Sequence, residues 1–147
     1  GYTEVGNGLM ELANQRGTMA LNILDLMMEK FPYTSYPYDY NMMNTANYYQ
    51  MLGKNENAID IIKKVTETCL DDLTYYYKMY NVSAENYLTR MQYETEMRDA
   101  ERCLASAVNI ARKAGEADLA TYIQTQWDSL RGVNGLPSVL ENNAPAK

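Results

Sequence analysis

Histidine is absent from the 147 residues, and with it the side chain that most often moves protons at neutral pH. No nucleophile elbow and no phosphate loop of the GxxxxGK[ST] type occurs, and a lone "GNG" near the N-terminus is no substitute. A carboxylate pair can act without histidine, but nothing in one sequence selects two of nineteen acids. The chain therefore reads as non-catalytic, with no cofactor implied. Cys69 and Cys103 are too few for a disulfide framework and their separation matches no metal-ligand spacing, so each is expected to act as a small apolar residue. No run approaches the ~18 consecutive apolar residues of a membrane span, and no basic segment leading into an apolar stretch opens the chain as a signal peptide would. A start at Gly1 and not at Met reads as a piece of a longer protein or a processed product. Basic residues are also scarce, 13 against 19 acids. A net charge of −6 repels phosphate backbones, so nucleic acid is excluded as a partner.

Proline is the next shortage. Its four positions, 32, 37, 137 and 145, leave residues 38 to 136 free of the strongest helix breaker. Alternating β-branched runs are missing too, while apolar positions recur at steps of three and four, so the fold class is all-α. About six helices are expected, stacked as three antiparallel helical hairpins, in a single domain over residues 1–131 with a C-terminal tail over 132–147. The first two would span 3–15 and 18–30, broken at Gly17, with Ala20, Leu24, Met27 and Met28 on one face. The third runs from about Asp39, its N-cap, to Leu52, with Gly53 taking the left-handed turn and Asn55 capping the next. The fourth carries Ala58, Ile62, Val65, Cys69, Leu73, Tyr76 and Tyr80 at helical spacing until "NVS", which fits an N-glycan acceptor but reads first as a helix break. Ser83 is the expected cap of the fifth, which carries Tyr87, Met91, Met97, Ala100, Leu104, Ala107 and Ala111 to a stop at Gly115, with room for a kink between the two methionines. The sixth, from Glu116 to about Arg131, aligns Leu119, Ile123, Trp127 and Leu130. Leu136 and Val139 are the residues through which the tail can dock.

Ala46, Tyr49, Gly53, Ala58, Ile62 and Val65 follow one another at steps of three, four, five, four and three. Small residues let two helices approach, Tyr49 fills the space between them, and Gly53 permits the tight reversal. This spacing resembles the tetratricopeptide repeat. Ala20, Leu24, Met27 and Pro32 match half of another repeat, and residues 83–131 give a third hairpin with few matching positions. Ala20 and Ala58 are 38 residues apart where the repeat implies about 34, so the connection "FPYTSYPYDY" is over-long. The resemblance implies a right-handed superhelix whose concave side receives a protein or peptide. More widely, "LNILDLMMEKFP", "YPYDYNMMNTANYYQMLGKNENAIDIIKKV" and "LDDLTYYYKMY" resemble the soluble C-terminal part of a family of large bacterial membrane proteins. The multi-span portion of that family is similar to glycosyltransferases of the protein O-mannosyltransferase kind. That resemblance implies chemistry in a membrane portion, an extracytoplasmic position for this domain, and that portion of its own chain as a partner.

Tyrosine is the abundant aromatic, with fourteen residues against one Phe and one Trp. Tyr49, Tyr76, Tyr80 and Tyr87 sit on apolar stripes and are expected in the core. Tyr33, Tyr36, Tyr38 and Tyr40, in or beside the over-long connection, are the candidate contacts for a partner or a glycan, against the blander role of covering hairpin ends. Met19, Met27, Met28, Met42 and Met51 read as core gap-fillers. Asp71 and Asp72 point about 100° apart on a helix and read as a solvated face, not a cation site. Glu94, Arg98, Asp99 and Arg102 offer surface pairs at helical spacing.

Overall fold

The structure, a computed structural model, describes residues 2–140. Five helices account for most of it: α1 (Tyr2–Lys30), α2 (Met42–Met51), α3 (Asn55–Val82), α4 (Tyr87–Lys113) and α5 (Ala117–Val133), with no strand among the described residues. The all-α expectation holds. The helix count is one lower because α1 runs straight through Gly17, whose backbone stays out of the left-handed region. A glycine inside a helix costs about 1 kcal/mol relative to alanine but removes no hydrogen bond, so with no proline nearby the ladder continues.

The core lies where α3 packs on α2, α4 on α3, and α5 on α4. Ala46 and Tyr49 of α2 meet Ala58, Ile62 and Val65 of α3, all essentially inaccessible to solvent. Gly53 lies between them at φ 77°, and Gly115 serves the α4–α5 turn at φ 81°. A side chain at either position would strain the left-handed backbone even though the space around it is open. On α4 the buried residues include Leu104 and the small Ala100, Ala107 and Ala111, which let α3 come close. Each fully buried Leu or Ile contributes roughly 1.5–3 kcal/mol through removal of apolar area from water.

The stripe of α3 is buried as far as Leu73 and then continues four residues on to Tyr77, leaving Tyr76 and Tyr80 half-buried. Tyr77 is the inward tyrosine because its hydroxyl receives the Trp127 indole N–H at 3.2 Å, bonding α3 to α5. Burial pushes its ionisation up, and Glu101 adds to that. Cys69 and Cys103 are free and buried on facing helices. A hydrogen bond to Cys103, then burial, raises Cys69, which favours the protonated thiol.

Several end signals fall elsewhere than expected. Asp39 accepts from the Asn41 backbone N–H at 2.9 Å, closing the turn before α2 and not capping the helix itself. Asn55 is the first residue of α3 after Lys54, and neither that helix nor α2 has a side-chain cap. α4 is capped by Asn86, not Ser83: its side-chain oxygen accepts from Thr89 N–H at 3.1 Å. Leu136 packs against the core, and Asp128 accepts from the Ser138 hydroxyl and from the Val139 backbone N–H at 2.6 and 2.9 Å. Residues 141–147 of the expected tail lie outside the described residues.

Candidate functional site

Three bends organise "FPYTSYPYDY". Phe31 N–H bonds to the Met27 carbonyl, Ser35 and Tyr36 N–H both bond to the Pro32 carbonyl, and Asp39 closes the last turn. A backbone held in this way can place side chains firmly although it is no helix. The tyrosines consequently go to different places. Tyr33 and Tyr38 meet edge to face at 4.9 Å, and the Lys64 ammonium lies over both rings at 5.1 and 5.6 Å while pairing with Asp60. Tyr36 stacks edge-on against Phe31 at 5.3 Å, and both are more than half exposed. Tyr38 is 6% exposed and belongs to the core cluster. Tyr40 is half-buried and its hydroxyl donates to Asp72 of α3.

The candidate residues Tyr36, Tyr38 and Tyr40 are thus spread over two adjoining hollows that share Tyr38 and Asp39. Tyr38 and Tyr40 line a cleft of about 600 Å³ with Tyr76, Asp39, Asp72 and Asp99. Tyr36 lies by a smaller hollow of about 290 Å³ against Met27, Met28 and Met42. Burial raises Tyr40, reinforced by its bond to Asp72, and burial with the Asp72 and Glu96 charges raises Tyr76. These phenols stay neutral donors at any physiological pH, so the cleft offers aromatic faces, carboxylates and the Arg102 guanidinium. Asp72 is more than a solvated residue, since it anchors the connection to α3, whereas Asp71 is exposed. Among the described residues no group of three or more His, Cys, Asp and Glu could hold a metal ion. None of the described helices is long and apolar enough to cross a membrane.

The largest departure from expectation is in α1. Among the described residues its closely packed helix neighbour is α2; Leu21, Leu24 and Met28 pack against the core cluster, and the Tyr49 hydroxyl donates to Asp25 at 2.8 Å. Of residues 3–16 only Gly6 is partly covered, and all the others are exposed. Met19 is thus solvent-facing and no gap-filler, and so is Met51 at the end of α2. Tyr87, expected in the core, is 74% exposed because it opens α4 at the far end of the α3–α4 contact. Next to this bare helix lies an almost wholly apolar groove of about 330 Å³, lined by Ala20, Ile23, Leu24, Tyr48, Met51 and Leu52. Its residues were not singled out by sequence reasoning as a surface. The signal was there in principle: α1 carries two apolar faces, and the core uses one.

Comparison of the chain with protein-family models, with curated proteins and with solved structures finds no match.

Proposed function

We propose that this domain is a non-catalytic protein-interaction or scaffolding module, tetratricopeptide-like in its hairpins, and that it serves as a soluble extracytoplasmic part of a larger bacterial glycosyltransferase-like membrane protein. The observation that carries the interaction reading is the apolar surface of α1 and α2, where Ile23, Tyr48 and Met51 stand exposed around one groove. Single exposed apolar residues are ordinary, but a contiguous patch on a helix marks a site where protein binds. The repeat reading is supported by the burial of Ala46, Tyr49, Ala58, Ile62 and Val65 and by the left-handed Gly53 among them. The partner on this reading is a protein or peptide, or the membrane portion of the same chain. The test is a photocrosslinking residue at Met51 in the longer chain, with Tyr122 on α5 as the control position. Crosslinks from Met51 and none from Tyr122 are expected; a silent Met51 would sink the proposal.

A second reading makes the domain the accessory that holds an acceptor or glycan, with tyrosines as the contact. The cleft of Tyr38, Tyr40 and Tyr76 beside Asp39, Asp72 and Asp99 favours it, because ring faces stack on sugar C–H groups while carboxylates accept from sugar hydroxyls. Titration of neutral oligosaccharides against the amide resonances of residues 38–41 decides: no shift at millimolar sugar eliminates this reading.

A further inference from the structure

Seven residues of α1, Val5, Leu9, Leu12, Arg16, Met19, Ile23 and Leu26, succeed one another at alternating steps of four and three. Their mean spacing is 3.5 residues, and the six apolar ones are between 43% and 66% exposed. We propose that this row is one half of an intermolecular coiled coil, and that the helix completing it presents a carboxylate opposite Arg16. The inference rests on the interaction-module reading and specifies the partner.

The spacing selects a helix. An apolar row at 3.5 residues stays in register with a second helix when the two supercoil, each side chain entering a gap on the other, whereas a strand or a flat surface has no such match. The residues flanking the row on one side are Gly6, Ala13, Ala20 and Met27, and on the other Gly8, Gln15, Asn22 and Glu29. Small, mostly uncharged flanks permit close approach but provide almost none of the edge charges that usually set partner choice. Choice then falls on Arg16, exposed, the middle residue of the row and its single charge.

That position argues against a second copy of this chain. A parallel in-register pair sets Arg16 against Arg16, and an antiparallel pair, in which each of the two alternating seam positions faces the other kind, sets Arg16 against Leu12 or Met19 and leaves its guanidinium among apolar side chains with no acceptor. Sliding the helices apart leaves at least a heptad of the row bare. A foreign helix with Asp or Glu in that layer turns the repulsion into a charge-assisted hydrogen bond. A lipid surface fits less well, because α1 carries Glu4, Glu11, Asp25 and Glu29 against Arg16 and Lys30, where interfacial helices are rich in basic residues. The first half of α1 also needs support. It packs on no other helix, it contains Gly6 and Gly8, and an isolated helix of about 15 residues is marginal in water. Near its C-terminal end the row runs into the groove of Tyr48 and Met51 through Ile23, so a docked helix gains a third wall.

The probe is a synthetic four-heptad peptide with Leu and Ile in its seam and Glu in the central layer, with a twin carrying Lys there. Labelled peptide is titrated with the chain by fluorescence anisotropy, with its self-association measured separately. The Glu peptide is expected to bind saturably, about tenfold tighter than the Lys twin, and Arg16→Glu is expected to reverse the preference. Leu12→Lys and Ile23→Lys should abolish binding while leaving the melting temperature in place, since both side chains are exposed. Equal binding of the twins, binding of neither, a dimer of the chain alone in sedimentation, or partition onto anionic vesicles would each overturn the inference. Failure of both peptides alongside crosslinks from Met51 would remove the coiled coil and leave the interaction module standing. A silent Met51 would remove the module itself.

Discussion

Glu101 on α4 and Arg131 on α5 form an ion pair whose side chains are 20% and 16% exposed. Glu101 also accepts from the Trp127 indole at 3.0 Å, and the Arg131 Nε donates to the Pro137 carbonyl at 2.7 Å while its guanidinium lies 5.9 Å from the centre of the Tyr77 ring. The pair thus ties α4 to α5 and, through Arg131, to the start of the tail. Glu101→Leu strands a guanidinium that is mostly removed from water. Breaking a fully buried pair costs about 3–5 kcal/mol, and the residual exposure here lowers the expectation to about 2–3 kcal/mol. Arg131→Met should cost less, about 1–2 kcal/mol, because Glu101 keeps the indole as a donor. The double variant Glu101→Leu/Arg131→Met should be more stable than Glu101→Leu alone, since no uncompensated charge remains. Urea unfolding followed by the fluorescence of Trp127 measures all three, and the most destabilised variant should melt roughly 4–10 °C lower. Glu94→Ala is the internal control: its partner Arg98 is 3.5 Å away with both side chains more than half exposed, so it should cost under about 0.5 kcal/mol. If Glu101→Leu is no worse than Glu94→Ala, the account of the α4–α5 contact is wrong.

Gly17→Ala should raise stability by about 0.5–1 kcal/mol, because Gly17 is inside a continuous helix and an added Cβ would meet only Leu52 Cδ2 at an ordinary 3.6 Å; loss of helical circular dichroism would instead restore a break at that position. Leu73→Ala, at a fully buried site on α3, should cost about 2–5 kcal/mol, and a loss below 1 kcal/mol in urea unfolding would contradict the placement of the core. Burial raises Tyr38, Tyr40, Tyr49, Tyr76 and Tyr77, so the stability these phenols contribute is complete below the unfolded value near 10 and is lost as pH climbs above it toward the folded values. Unfolding free energy should accordingly fall above about pH 10, with tyrosinate absorbance rising in step with unfolding, and a flat profile there would refute it. Asp128 is held below the usual carboxylate range, first by the Ser138 hydroxyl. The tail should therefore stay docked above the unfolded value of about 4 and detach as pH falls through the lower folded one, which the amide resonance of Val139 reports.

What the sequence made legible was local. The run from Ala46 to Val65 is built from residues that answer to neighbours a few positions away: Ala46, Tyr49, Ala58, Ile62 and Val65 are buried and Gly53 is left-handed. Gly115 is the same case. Gly17 misled because a glycine marks a break only when something else ends the helix, and nothing there does. Tyr77 and Asn86 were missed for different reasons. The first is fixed inside by an indole fifty positions along the chain, a relation that helical spacing on α3 cannot contain. The second was overlooked in favour of Ser83, although an Asn three residues before the first turn's Thr89 carries the same capping signal. The tyrosine connection was correctly located but not its division, since which ring turns inward depends on Lys64 and Asp72 of α3. The second apolar face of α1 was written in the spacing all along; only the packing tells that the core leaves it unused.

Amide hydrogen exchange over residues 3–16 tests the central claim, that α1 offers an unfilled seam to a partner helix, more directly than any substitution. In the isolated chain these amides should exchange fast compared with those of α3 and α4, and the Glu peptide should slow them while leaving α5 unchanged. Strong protection without any partner, or no change at saturating peptide, would contradict it.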